Sequence, residues 1–172
     1  QSCKQREVAQ AGIELVGVEK PQADAEVIAI AIETFLDLGL KEFQIDIGQV
    51  EFLKGLIEEA GLSAEQAENI RSLIDQKNML ALEILLNDLP ISQDIKNILY
   101  SLPQLYGDGD MLKGATGLSN NPRCEAAIDN INQVYKILKG YGFQQYISFD
   151  LGMVQSFNFY TGIIFRGITK EL

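Results

Sequence analysis

The sequence predicts an α+β fold: an antiparallel sheet flanked by helices, with a helical insertion between its strands. Two observations carry that expectation. FQIDIG (43–48) alternates with the period of a strand, and YISFDLGMV (146–154) and FNFYTGIIFRGIT (157–169) are rich in aromatic and β-branched residues. Between these blocks, residues 50–103 follow helical periodicity throughout. Strands grouped apart from helices favour α+β over an alternating parallel architecture. The order assigns residues 1–49 and 141–172 to a core and 50–140 to a mainly helical insertion.

Each element follows from local chemistry. EVAQAGIELVG (7–17) carries apolar Ile13 and Val16 against polar Gln10 and Glu14, which predicts a first strand. Pro21 opens a helical run, ADAEVIAIAIETFLDLGL, that Gly39 ends. Glu26, Glu33 and Asp37 recur there as one narrow polar stripe, so the helix is largely buried against a sheet. FQIDIG then reads as a half-exposed strand.

The helical stretch begins at VEFLKGLIEEAGL with a stop at Gly61, and Ser63 and Gln66 are spaced as a capping box for the next helix. NMLALEILLNDL (78–89) and SQDIKNILYSL (92–102) continue it around Pro90. GDGDMLKGATGLSNN (107–121) reads as a solvated loop, since Asp108 and Asp110 lack the other ligands of a calcium-binding hand. Residues 123–139 predict an amphipathic helix with Gly140 as its C-cap. The short link within FDLGMVQSFNFYTGIIF predicts a hairpin or sharp bend between the last strands.

Composition excludes several functions. The 172 residues are 47% hydrophobic and 22% charged, the profile of a globular protein. There is no histidine, which removes the commonest general base and metal ligand; Cys3 and Cys124 are far apart and form no metal-binding spacing. No metal site is expected. A net charge of −10 disfavours a nucleic-acid backbone as the main partner. No apolar run spans a membrane and residues 1–10 lack signal-peptide character, so the expected location is the cytoplasm. The opening at Gln1, without methionine, points to a piece of a longer protein. No phosphate-cradling glycine motif occurs.

Some polar residues bear two readings each. On a strand, Gln10 and Glu14 share a face with Gly12 between them, a suitable receptor for a ligand ammonium group or simply a solvent-facing strand. Tyr160, Thr161 and Gly162 form either one edge of a ligand pocket or a core tyrosine with its neighbours. Nothing marks Asp46 or Asp150 above the other acids, and no catalytic engine is evident.

Two blocks carry a resemblance. R-E-V-A-Q-A-G-I-E-L-V-G (6–17) with A-D-A-E-V-I-A-I-A (23–31) resembles the strand and helix after motif 2 in histidyl-tRNA synthetases. D-L-G-M-V-Q-S-F-N-F-Y-T-G-I-I-F (150–165) resembles that family's second histidine-recognition motif, D-x-x-L-V-R-G-L-D-Y-Y-T-G-x-x-F. The resemblance implies a class II aminoacyl-tRNA synthetase-like sheet. Gln155 stands where that motif has its catalytic arginine, Asn158 replaces an aspartate and Phe159 a tyrosine. A glutamine carries no charge to stabilise a developing phosphate anion.

Residues 150–167 are also similar to D-L-G-M-V-x-x-x-x-Y-Y-T-G-I-x-F-R-G, typical of the synthetase-like regulatory subunits of ATP phosphoribosyltransferase. That resemblance implies a non-catalytic protein without a cofactor, self-associating as a dimer. It would join the short-form catalytic subunit in a hetero-octamer, with L-histidine as effector and tRNA not a partner. It also implies a histidine-binding set of Gln10, Glu14, Tyr160, Thr161 and Gly162, with no catalytic residue. The alternative it leaves is a fragment of a histidyl-tRNA synthetase.

Overall fold

The computed structural model describes residues 9–154 and 160–170. Among the described residues, seven α-helices and four strands follow in the order α1 (Pro21–Asp37), β1 (Phe43–Gln49), α2 (Val50–Glu59), α3 (Ala64–Asp75), α4 (Met79–Asp88), α5 (Gln93–Ser101), β2 (Tyr106–Gly107), α6 (Gly109–Ala115), α7 (Pro122–Gly140), β3 (Ile147–Asp150) and β4 (Ile163–Thr169). Short 3-10 turns precede β2 and β3. The sheet order is β2-β3-β1-β4.

The α+β class holds with a mixed sheet: among the described residues two of the three strand pairings are antiparallel, and β1 with β3 is parallel. A parallel neighbour needs a long crossover. The helices between β1 and β3 provide it.

Local chemistry explains the helices. Pro21 starts α1 with its φ preset, and Gly39 at φ 85° ends it. Ala25, Ile28, Ala29 and Ile32 form the buried stripe, while Glu26, Glu33 and Asp37 face solvent. The Ser63–Gln66 capping box forms in full, with Ser63 accepting from the Gln66 amide and Gln66 accepting from the Ser63 amide.

Helix α7 packs against both α1 and α2 and reaches β1. Its approach to α2 depends on Gly55, where a Cβ would lie 2.6 Å from Cys124 Sγ. Phe35 of α1 meets Phe43 edge-on at 5.2 Å, and Tyr135 of α7 meets Phe149 edge-on at 5.1 Å. One continuous apolar core joins α1, β1 and β3 to α2–α7, and each fully buried Ile or Leu in it contributes about 1.5–3 kcal/mol.

Several local expectations are corrected. Described residues 9–17 form no strand and are all exposed, Val16 at 85%. Alternation alone does not make a strand; it must pair with a neighbour's free edge, and these residues do not. β1 is not half-exposed: only Gln44 is open to solvent. Residues 109–115 are helical, with Asp108 as N-cap accepting from the Asp110 amide. α7 runs through Gly140, and Gly142 takes the positive φ, 84°. β3 and β4 form no hairpin, because β1 lies between them.

Candidate functional site

Three helix beginnings converge on a groove of about 490 Å³. The turn before α1 supplies Val18, Glu19 and Lys20, and α1 adds Asp24. Gln49 and Glu51 come from the β1–α2 junction, Arg123 and Asn130 from α7, and Thr161, Gly162 and Ile163 from the entry to β4. Two bonds fasten that entry to α2: the Val50 amide donates to Gly162 O at 3.1 Å, and Lys54 Nζ donates to Tyr160 O at 2.7 Å.

A chain of side-chain amides runs beneath the groove. The Glu51 amide donates to Gln49 Oε1 at 3.0 Å, and Gln49 Nε2 donates to Asn130 Oδ1 at 2.8 Å. Asn130 lines the groove beside Asp24. Gln49 is 3% exposed, so the amide orientations are set within the protein. Burial pushes the Asp24 carboxyl up, and the polar Asn130 side chain opposes that only in part. Burial also works to raise Glu51, but hydrogen bonds and charge from Arg123 and Lys54 outweigh it and hold Glu51 below its ordinary value. Arg123 binds Glu51 at 2.6 and 2.8 Å and Glu58 at 2.9 Å.

On the sheet itself lies a buried ionic cluster. Asp46 of β1 and Asp150 of β3 are 1% and 2% exposed. Arg166 of β4 donates to Asp46 Oδ2 through Nε at 3.3 Å and Nη2 at 3.2 Å, and its Nη2 is 3.6 Å from Asp150 Oδ2. Ser148 Oγ donates to Asp46 Oδ1, and the Gly152 amide donates to Asp150 Oδ1 at 2.9 Å. Burial pushes the Asp150 carboxyl up, against Lys77, the Gly152 amide and Arg166. The register explains the meeting: Asp46 is directly opposite Ser148 on one side and Arg166 on the other. Arg166 also borders a second groove of about 290 Å³, with Met153, Tyr160, Ile163, Ile164 and Phe165.

The expected site residues fall in three places. Thr161 and Gly162 line the first groove and Tyr160 the second, 53% exposed. Gln10 and Glu14 are exposed on the irregular segment before α1 and line neither. Gln155, Asn158 and Phe159 lie outside the described residues, as does Cys3. Asp46, Asp150 and Arg166 escaped the sequence reading. Their signal was one ionisable residue within each of three apolar strands, I-D-I, S-F-D and I-F-R.

Among the described residues no group of three or more His, Cys, Asp or Glu is placed to hold a metal. Cys124 is buried, and burial pushes its thiol up, away from the reactive thiolate. No helix among the described residues is long and apolar enough to cross a membrane.

A mixed sheet backed by helices, with a recognition-like segment leading into its edge strand, is the architecture of synthetase-like proteins. The sequence model of the family described as Histidyl-tRNA synthetase matches residues 1–172, so this chain belongs to that family. Within it, the chain is 49% identical over 166 residues to the ATP phosphoribosyltransferase regulatory subunit of Acetivibrio thermocellus, covering 96% of the chain and 40% of that protein. It is 46% identical over 169 residues to the protein of the same name from Thermoanaerobacter pseudethanolicus, covering 98% of the chain and 44% of that protein. The chain thus spans about two fifths of the length of these curated relatives.

A crystal structure of an ATP phosphoribosyltransferase regulatory subunit/histidyl-tRNA synthetase from Bacillus halodurans superposes with a TM-score of 0.83 at 30% identity, over 92% of this chain and 42% of that one. The ATP phosphoribosyl transferase (HisG:HisZ) complex from Thermotoga maritima shares the fold, with a TM-score of 0.69 at 18% identity, over 88% of this chain and 53% of that one.

Proposed function

We propose that the protein carrying this chain is the non-catalytic regulatory subunit of ATP phosphoribosyltransferase, acting in the cytoplasm. In that role it self-associates as a dimer, assembles with the short-form catalytic subunit, and supports the first step of histidine biosynthesis under feedback by L-histidine. The observation that carries the reading is 49% identity to a protein of that name along 96% of the chain. Chemistry supports it. Gln155 supplies no positive charge where the resembling motif has arginine, so adenylate formation loses its electrostatic stabilisation.

In this reading the ammonium group of histidine meets Gln10 and Glu14, Tyr160 addresses the imidazole side, and Thr161 and Gly162 complete the set. A charge-assisted hydrogen bond contributes about 1.5–3 kcal/mol, so Glu14→Gln is expected to weaken histidine binding by roughly ten- to a hundredfold. Unchanged affinity in a calorimetric titration of the full-length protein would count against this placement.

The deciding experiment combines co-purification with the catalytic subunit and an ATP–pyrophosphate exchange assay with histidine. The regulatory reading expects a defined complex by mass measurement, a more active catalytic subunit, and no exchange. Robust exchange by the full-length protein favours instead an active histidyl-tRNA synthetase. The family match along the whole chain keeps that second reading in play.

A further inference from the structure

We infer that Lys54 of α2 is a positioning residue for histidine binding: its ammonium group holds the Tyr160 carbonyl and so aims the tyrosine at the ligand. This role rests on the placement of histidine proposed above, and adds to it a residue that does not touch the ligand.

Tyr160 needs such a hold. The β1–β4 ladder begins with Ile163 opposite Gln49, so residues 160–162 lie beyond its last register pair. Between the tyrosine and the ladder stands Gly162 at φ 71°, and a glycine costs more entropy to fix than any other residue. The Tyr160 side chain is 53% exposed along the second groove, so packing restrains it little. Two carbonyl bonds to α2 supply the restraint. Gly162 O accepts from the Val50 amide at 3.1 Å, and Tyr160 O accepts from Lys54 Nζ at 2.7 Å. The first is a neutral bond beside the ladder. The second is charge-assisted, shorter, and falls on the tyrosine itself.

Lys54 is aimed in its turn. Its side chain is 15% exposed, and an ammonium group so placed keeps its charge only with partners. Glu51, one turn earlier on α2, lies 3.1 Å from Nζ, and Arg123 of α7 binds Glu51 at 2.6 and 2.8 Å. Glu58 takes another side of that guanidinium at 2.9 Å. Alternating charges thus run from α7 through α2 to the tyrosine carbonyl. Support of the α2 helix alone would ask only for the Lys54–Glu51 pair. The bond to Tyr160 instead joins residues 106 apart in the chain, and so ties the recognition segment to the helical insertion.

The test is a calorimetric titration of the full-length protein with L-histidine. Lys54→Met keeps the apolar stem and removes the donor. It is expected to weaken binding roughly tenfold, because histidine then binds only the fraction of molecules with Tyr160 in place. Lys54→Arg keeps a charged donor and is expected to stay within about threefold of the parent. Coupling separates positioning from a general loss of stability, which weakens binding alike in every background. Beside Tyr160→Phe, Lys54→Met is expected to cost less than about threefold, since the hydroxyl it aims is gone. Beside Glu14→Gln, at the other end of the ligand, it is expected to cost the same factor as alone. Circular dichroism establishes that the variants fold; Lys54→Gln replaces Lys54→Met if that one does not. The role of Lys54 is overturned if Lys54→Met binds within about twofold of the parent, if Lys54→Arg loses as much as Lys54→Met, or if the loss beside Tyr160→Phe equals the loss alone. A parent protein that binds no histidine, or Tyr160→Phe that binds as the parent does, overturns the placement of histidine itself and this role with it.

Discussion

Replacing Arg166 with methionine tests whether the buried cluster holds the three strands together. Met keeps the apolar stem that covers the second groove and removes only the guanidinium. At 3.2 Å and an effective dielectric of about 20, the Arg166–Asp46 attraction is roughly 5 kcal/mol before desolvation is subtracted. The substitution does not release Asp46 to water, because that side chain is 1% exposed and stays buried. Removing one partner of a fully buried pair costs about 3–5 kcal/mol. Arg166 is 45% exposed, so solvent screens part of the interaction, and Ser148 continues to donate to Asp46. The expected loss is therefore about 2–3 kcal/mol.

Urea unfolding of the full-length protein at pH 7 measures it, alone and in combination with Asp46→Asn. Once the carboxylate is neutral, Arg166→Met is expected to cost less than about 0.5 kcal/mol, leaving a coupling of at least about 1.5–2.5 kcal/mol. A single-variant loss under about 0.5 kcal/mol, or two losses that add within that margin, refutes the reasoning.

Other predictions rest on single contacts. Gly55→Ala gains about 1 kcal/mol of helix propensity, yet its methyl would lie 2.6 Å from Cys124 Sγ and 3.1 Å from the Cys124 amide nitrogen; the strain of separating α2 from α7 prevails, and Tm falls. A Tm at or above the parent's would show that α7 yields more easily than the packing implies. Ser63→Ala removes the capping oxygen of α3 and is expected to cost about 1 kcal/mol, with faster hydrogen exchange at the Gln66 amide; unchanged exchange there would reject the cap's role.

Asp150 predicts a pH dependence. Its folded pKa lies above its ordinary 3.8, so the folded state holds a proton that the unfolded chain gives up. Its contribution is complete below that value and is lost as pH rises through the raised folded pKa. Relative to Asp150→Asn, the parent should lose stability with rising pH across that window. A flat or rising difference in denaturation midpoints would contradict the assignment.

Much of the local structure was legible in the chain. Pro21 and Gly39 bound α1, Ser63 and Gln66 announce α3, and the alternation of 43–48 marks β1. Such signals act within a few residues, where backbone geometry and capping operate. Residues 7–17 show the limit. Their alternation matches a strand's, but a strand exists only when another strand pairs with it, and residues 9–17 pair with none among the described residues. The loop expected at 107–121 failed for a related reason: the Gly109–Ala115 helix packs against α7 and β3, and those contacts override weak propensity.

The candidate site divides in the same way. By itself the sequence determined the family motif, the substitution of Gln155 and the absence of histidine, because these are matters of residue identity. Only the tertiary structure decided that Asp46, Asp150 and Arg166 form one cluster, since strand register sets which charges stand opposite one another. Only it placed Asp24, Gln49 and Asn130 around one groove, because helices distant in sequence meet there when they bury their apolar stripes on a common core.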